Sequence, residues 1–87
     1  MSPRKTISIL KEMIASICEV DASKIRDNGK LLGYGLDSVR VIDLLMAIED
    51  EYDIELSESD PALRKVQTVT DLCHLVDMRR AQAKRDG

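Results

Sequence analysis

The sequence has no tryptophan and no phenylalanine, and its only aromatic residues besides histidine are Tyr34 and Tyr52. A core without large rings must be built from Ile, Leu, Val and Met, and it shifts more readily than one pinned by aromatic planes. Cysteine is as scarce. Cys18 and Cys73 form neither a C-x-x-C pair nor a metal-binding spacing, so two reduced core thiols are expected and no metal site. The single histidine, His74, neighbours Leu75 and Val76, a setting expected at the edge of a core rather than in a catalytic pair. No apolar run approaches the roughly 20 residues that cross a bilayer. The N-terminal MSPRKTISILKEM lacks the apolar stretch of a secretion signal, so the expected compartment is the cytoplasm. Internal repeats and low-complexity segments are absent, and nothing alternates with period two over a useful length, which excludes a sheet protein.

What is present is one small domain. A chain of 87 residues supports a single modest core, and 44% apolar with 33% charged residues is a globular balance. The net charge of −3 is unevenly spread. From Asp37 to Asp60 nine acids face one base, Arg40, for a net −8; the remainder holds seven acids and twelve bases, for +5. An acidic central block speaks against nucleic acid and for a partner with a basic surface. The carrier of these features is expected to span 1–80, with 81–87 a basic, frayed tail whose cations suit a helix C-terminus.

Helical spacing dominates the chain. Ile7, Leu10, Ile14 and Ile17 mark a first helix, with Ser2 as its cap and Pro3 at its first position. A long loop follows, punctuated by Gly29, Gly33 and Gly35, and its Ile25, Leu31, Leu32 and Leu36 are expected to pack inward. A second helix starts at Asp37-Ser38 and runs to about Tyr52. A short third helix has Pro61 near its first turn, and Thr68 with Asp71 has the spacing of a capping box opening the last helix. The fold class is all-α, three main helices and a minor one.

On the second helix, Val41, Leu44, Leu45, Ile48 and Tyr52 share an arc wide enough for a core-facing stripe. Val39, Ile42 and Met46 lie off its centre, bordered by Asp43, Glu49 and Asp50. Two readings of this strip stand side by side. It widens the core stripe, or it is an outward docking surface whose apolar anchors supply contact while the acids steer a basic partner. Beside it, Ser38 stands at a helix N-terminus behind a glycine-containing loop. An anion esterified there would meet free amides and the helix dipole, so the hydroxyl suits a phosphodiester. A hydrolase is not expected: Leu36-Asp37 precede Ser38 and Arg40 follows, so it is no G-x-S-x-G serine.

The stretch GLDSVRVIDLLMAIEDEYDIEL resembles the carrier proteins of fatty acid, polyketide and peptide synthesis around their Asp-Ser-[Leu/Ile/Val] attachment motif. The resemblance extends over nearly the whole chain, with VQTVTDLCHLV as the closing helix of a four-helix carrier bundle. It implies a non-catalytic acyl carrier protein, discrete and monomeric, in which Ser38 receives 4′-phosphopantetheine from coenzyme A through a separate phosphopantetheinyl transferase that uses magnesium. The thiol of that arm would carry acyl groups as thioesters, and Asp37 would position the transferase and its metal. Val39, Ile42 and Met46 would be apolar docking positions for loading, synthase and transferase enzymes. Asp43, Glu49 and Asp50 would be the acidic ones, with Arg40 on the same face. Leu44, Leu45, Ile48 and Leu56 would line any space that shelters the acyl chain. Two departures matter. Arg40 stands where fatty acid carriers usually have an acid, and YGLDSVR is similar to aryl carrier domains. An aryl or aminoacyl carrier of a nonribosomal peptide-type pathway is therefore the alternative.

Overall fold

The computed structural model describes residues 5–57 and 59–86, the side chains of 84–86 excepted. Four α-helices follow one another: α1 (Thr6–Cys18), α2 (Ser38–Tyr52), a one-turn α3 (Pro61–Arg64) and α4 (Val69–Asp86). Two 3-10 turns, Ala22–Lys24 and Leu31–Tyr34, shape the α1–α2 loop. α1 packs against both α2 and α4, and α3 leans on α4. Ser2 and Pro3 lie outside the described residues; α1 begins after Lys5, which offers no side-chain cap. The boundary expected at residue 80 falls inside α4, whose helix continues to Asp86.

The core is aliphatic throughout. Leu10, Ile14 and Cys18 of α1 meet Leu44, Leu45 and Ile48 of α2 and Val69, Leu72, Leu75 and Val76 of α4. Ile54 and Leu56 close it beyond α2, and no polar residue is buried among those described. Both cysteines are free thiols, Cys18 in the core and Cys73 half-buried against it. Burial raises both thiols above their ordinary range, and Asp77 adds to the effect at Cys73, so neither is a reactive thiolate. His74 is exposed, not at the core edge: Leu72, Leu75 and Val76 fill the inward stripe of α4, and His74 falls outside it.

The loop is apolar where expected, with one exception. Ile25, Leu31 and Leu36 are buried, whereas Leu32 is 80% exposed because the 3-10 turn can direct only one of two adjacent leucines inward. Tyr34 fixes the loop by accepting from Arg26 N at 2.9 Å. Its ring lies so close to Gly29 that a Cβ there would overlap the phenol. The loop backbone also supplies α4 with its N-terminal partners. Val69 N donates to Gly29 O at 3.1 Å, Thr70 N to Asp27 O at 2.8 Å, and Leu31 N reaches back to Gln67 O at 2.9 Å. These bonds absorb amides that a helix start leaves unpaired.

The capping box forms as the spacing predicts. Asp71 N donates to Thr68 Oγ1 at 3.1 Å, and Asp71 Oδ2 accepts from Thr68 N and Gln67 N, each at 3.1 Å. Thr68→Ala should cost about 1 kcal/mol in a urea unfolding curve. The amides of Gln67 and Thr68 hold the Asp71 carboxyl below the usual carboxylate range. That stabilisation is complete above the unfolded carboxylate value and is lost as pH falls through the lower folded one. The stability gap between wild type and Asp71→Asn should therefore narrow on acidification; a gap that widens contradicts the assignment.

Two groups of polar contacts, around Asp60 and around Thr6, tie α4 to the rest of the bundle. Asp60 caps α3 by accepting from Ala62 N at 2.9 Å and also pairs with Arg79 of α4. Thr6 Oγ1 donates to Asp77 at 2.9 Å and accepts from Arg80, whose guanidinium lies 4.6 Å from the centre of the Tyr52 ring.

The site at the start of the second helix

The chain approaches α2 through a left-handed residue. Gly35 has φ of 93°, a conformation that side-chain-bearing residues resist, and it ends the 3-10 turn Leu31–Tyr34. Its carbonyl accepts from Asp37 N at 3.0 Å and from Arg40 Nη1 at 3.3 Å. Asp37 is the N-cap, its Oδ1 accepting from Val39 N at 3.1 Å and Arg40 N at 2.8 Å, while Val41 N donates to its carbonyl. Ser38 follows as the first helical residue, exposed to solvent.

This geometry corrects one expectation. The amides of Val39 and Arg40 do not await an anion, because the Asp37 carboxylate already takes both. What remains for an ester at Ser38 is the helix dipole, opposed by a neighbouring carboxylate. The hydroxyl fits an added group because it is exposed at a helix start. Asp37→Ala should destabilise α2 by about 1 kcal/mol, whereas Asp37→Ser keeps a capping oxygen and most of the stability. Thermal unfolding of the two variants checks this, and equal losses would contradict the cap.

Arg40 is half-buried and reaches back, as a residue two places beyond Ser38 can, but its target is the Gly35 carbonyl. It thereby braces the turn that precedes the serine. No sequence signal pointed to this contact, since the carbonyl it finds belongs to a loop whose path depends on Gly35.

The off-centre strip is exposed. Val39 is 69%, Met46 62% and Ile42 39% accessible, so they do not widen the buried stripe. Asp43 and Asp50 are exposed beside them. Glu49 is half-buried and accepts from Leu56 N at 3.1 Å, so its carboxylate also holds the segment after α2. Leu44, Leu45, Ile48 and Leu56 are all buried. Only Leu45 and Leu56 of these border a surface hollow of about 270 Å3, shared with Ile42, Met46, Glu49 and Ser57. Leu44 and Ile48 lie deeper in the core. Among the described residues no cluster of His, Cys, Asp or Glu could hold a metal, and no helix is long and apolar enough to cross a membrane.

The family model described as "Phosphopantetheine attachment site" matches residues 8–76. An acyl carrier protein of Buchnera aphidicola subsp. Schizaphis graminum is 38% identical over 61 residues, covering 69% of this chain and 75% of that one. One of Campylobacter jejuni subsp. doylei is 27% identical over 73 residues, 83% of this chain and 92% of the other. In fold, the chain is similar to a mupirocin didomain ACP (TM-score 0.76, 18% identity), covering 91% of this chain and 42% of that one. It is likewise similar to the HMG-ACPI domain from the CurA module of Lyngbya majuscula (TM-score 0.73, 22% identity), covering 95% of this chain and 90% of that domain.

Proposed function

Because the chain belongs to the acyl carrier protein family, whose members bear a covalently attached 4′-phosphopantetheine, we propose that Ser38 is its attachment point and α2 its docking helix. The observation that carries this reading is the exposed Ser38 at the head of a helix whose exposed apolar side chains are Val39, Ile42 and Met46. In attachment, Ser38 Oγ bonds to the phosphorus of coenzyme A that bears pantetheine. The phosphoanhydride P–O bond breaks, the adenosine bisphosphate leaves, and the serine proton passes to the transferase. The bound arm supplies a thiol that holds acyl groups as thioesters. The chain's own residues do the rest: Asp37 sets the start of α2 and leaves its Oδ2 for the transferase and its magnesium. Arg40 keeps the Gly35 turn in place, and the strip with Asp43 and Asp50 meets basic partner surfaces.

The cargo proposed is an acyl intermediate of fatty acid, polyketide or related secondary-metabolite synthesis. The support is the hollow at Leu45 and Leu56, which lies on the docking side of α2. There Ile42, Leu45, Met46 and Leu56 stand beside Glu49 and Ser57, and the unbranched or aliphatic side chains are able to part. Loading the protein with a long-chain acyl group should shift the methyl resonances of Leu45 and Leu56 relative to the unloaded form. Identical spectra mean the cargo stays outside, the outcome expected of an aryl or aminoacyl carrier.

A further inference from the structure

The three methionines described differ in setting. Met13 is half-buried against the core, whereas Met46 and Met78 are 62% and 60% accessible. Met78 stands on α4 beside Pro61, Ala62 and Leu75, on the α3–α4 side of the bundle. Met46 belongs to the α2 strip. Helical spacing puts Ile42 one turn before it and Glu49 and Asp50 one turn after it. It also borders the hollow shared by Ile42, Leu45, Glu49 and Leu56. The two cysteines do not shield it from an oxidant. Cys18 is buried and Cys73 half-buried, and burial raises both thiols, so neither offers the thiolate that peroxide would meet first. Exposed thioether sulfur is then the open target.

We propose that Met46 is a site of reversible oxidation by peroxides, and that its sulfoxide closes the α2 strip to partner enzymes. The proposal rests on the reading of that strip as the docking surface. The sulfur lone pair attacks one peroxide oxygen, the O–O bond breaks, an S–O bond forms and water leaves. Sulfur gives up the two electrons that the peroxide gains. The product is a polar side chain in place of an apolar one. In the lone protein its oxygen is solvated, because the position is exposed, and the fold is undisturbed. In a complex that oxygen is stripped of water against a surface that met a thioether, and a polar group buried without a donor weakens the contact. Its neighbours on the helix cannot supply one, since the carboxylates of Glu49 and Asp50 only accept. Met13 and Met78 lie outside the strip, so oxygen added to either leaves docking alone. The effect belongs to one sulfur.

The test treats wild type, Met46→Leu and Met78→Leu with dilute hydrogen peroxide, removes the peroxide with catalase and maps the added oxygen by peptide mass. Each protein is then compared with its own untreated form for kcat/KM with coenzyme A and a phosphopantetheinyl transferase. Wild type and Met78→Leu should lose about fivefold or more, mainly as a rise in KM, with unchanged circular dichroism. Met46→Leu should keep its untreated value, and methionine sulfoxide reductases of both stereospecificities should restore the wild type. Oxidation of Met46 with no change in kcat/KM overturns the proposal. So does an equal loss in Met46→Leu, or a Met46 that stays reduced while Met78 is converted. The docking reading is checked apart, by Val39→Asp, Met46→Asp: if that variant loses kcat/KM and the oxidised wild type does not, the strip stands and the oxidation site falls. If neither loses, both fall. An untreated protein that gains no mass overturns the Ser38 assignment and this proposal with it.

Discussion

Ser38→Ala should fold like the wild-type protein and gain no mass from coenzyme A and a phosphopantetheinyl transferase. Folding survives because Ser38 does not cap α2; the two amide contacts at the helix start belong to Asp37. Alanine is a good residue in a first turn, and the site is exposed, so the change in stability stays within about 0.5 kcal/mol. Modification fails because no other serine among the described residues has the same setting. Ser23 bonds to its own cap Asp21 at 2.9 Å, Ser57 and Ser59 bond to each other at 2.8 Å, and Ser8 and Ser16 lie within α1. Circular dichroism and intact mass on the same sample separate loss of fold from loss of site. A folded variant that is still modified would move the attachment elsewhere.

The double variant Val39→Asp, Met46→Asp should lower kcat/KM for the transferase by at least about tenfold while leaving unfolding midpoints nearly unchanged. Both side chains are mostly exposed in the lone protein, so their replacement takes little from the core. In a complex they would be desolvated anchors, and truncating such an anchor typically costs more than about 1 kcal/mol, where 1.4 kcal/mol is a factor of ten. The new acids leave an acid-steered encounter intact, so the loss belongs to contact rather than attraction. Reversing Asp43 and Asp50 to Lys should act differently, lowering kcat/KM mainly at low ionic strength and much less at high salt. Unchanged kinetics in the first variant would make the strip an ordinary surface.

What could be read from the sequence was what depends on near neighbours along the chain. The wheel of α2 separated Val39, Ile42 and Met46 from Leu44, Leu45 and Ile48 because helical spacing alone decides which residues share a face. The Thr68–Asp71 box and Pro61 at the head of α3 are equally local. Contacts fixed by distant segments escaped. Leu32 reads as apolar and therefore inward, yet the turn that buries Leu31 and Leu36 leaves it outside. His74 reads as a core-edge residue from its neighbours, whereas the phase of α4 turns it to solvent. Glu49 looks like a free docking acid until Leu56 N is folded onto it. Arg40 opposes the helix dipole, and its compensation is the Gly35 carbonyl, visible only once the glycine's left-handed turn is in place.

Tandem mass spectrometry of the wild-type protein after incubation with coenzyme A and a transferase tests the central claim most directly. The fragment series should place one phosphopantetheine on Ser38, with every other residue of the GLDSVR peptide at its unmodified mass. A modification located on any other residue, or a protein that remains unmodified while a control carrier in the same mixture is converted, would contradict the account.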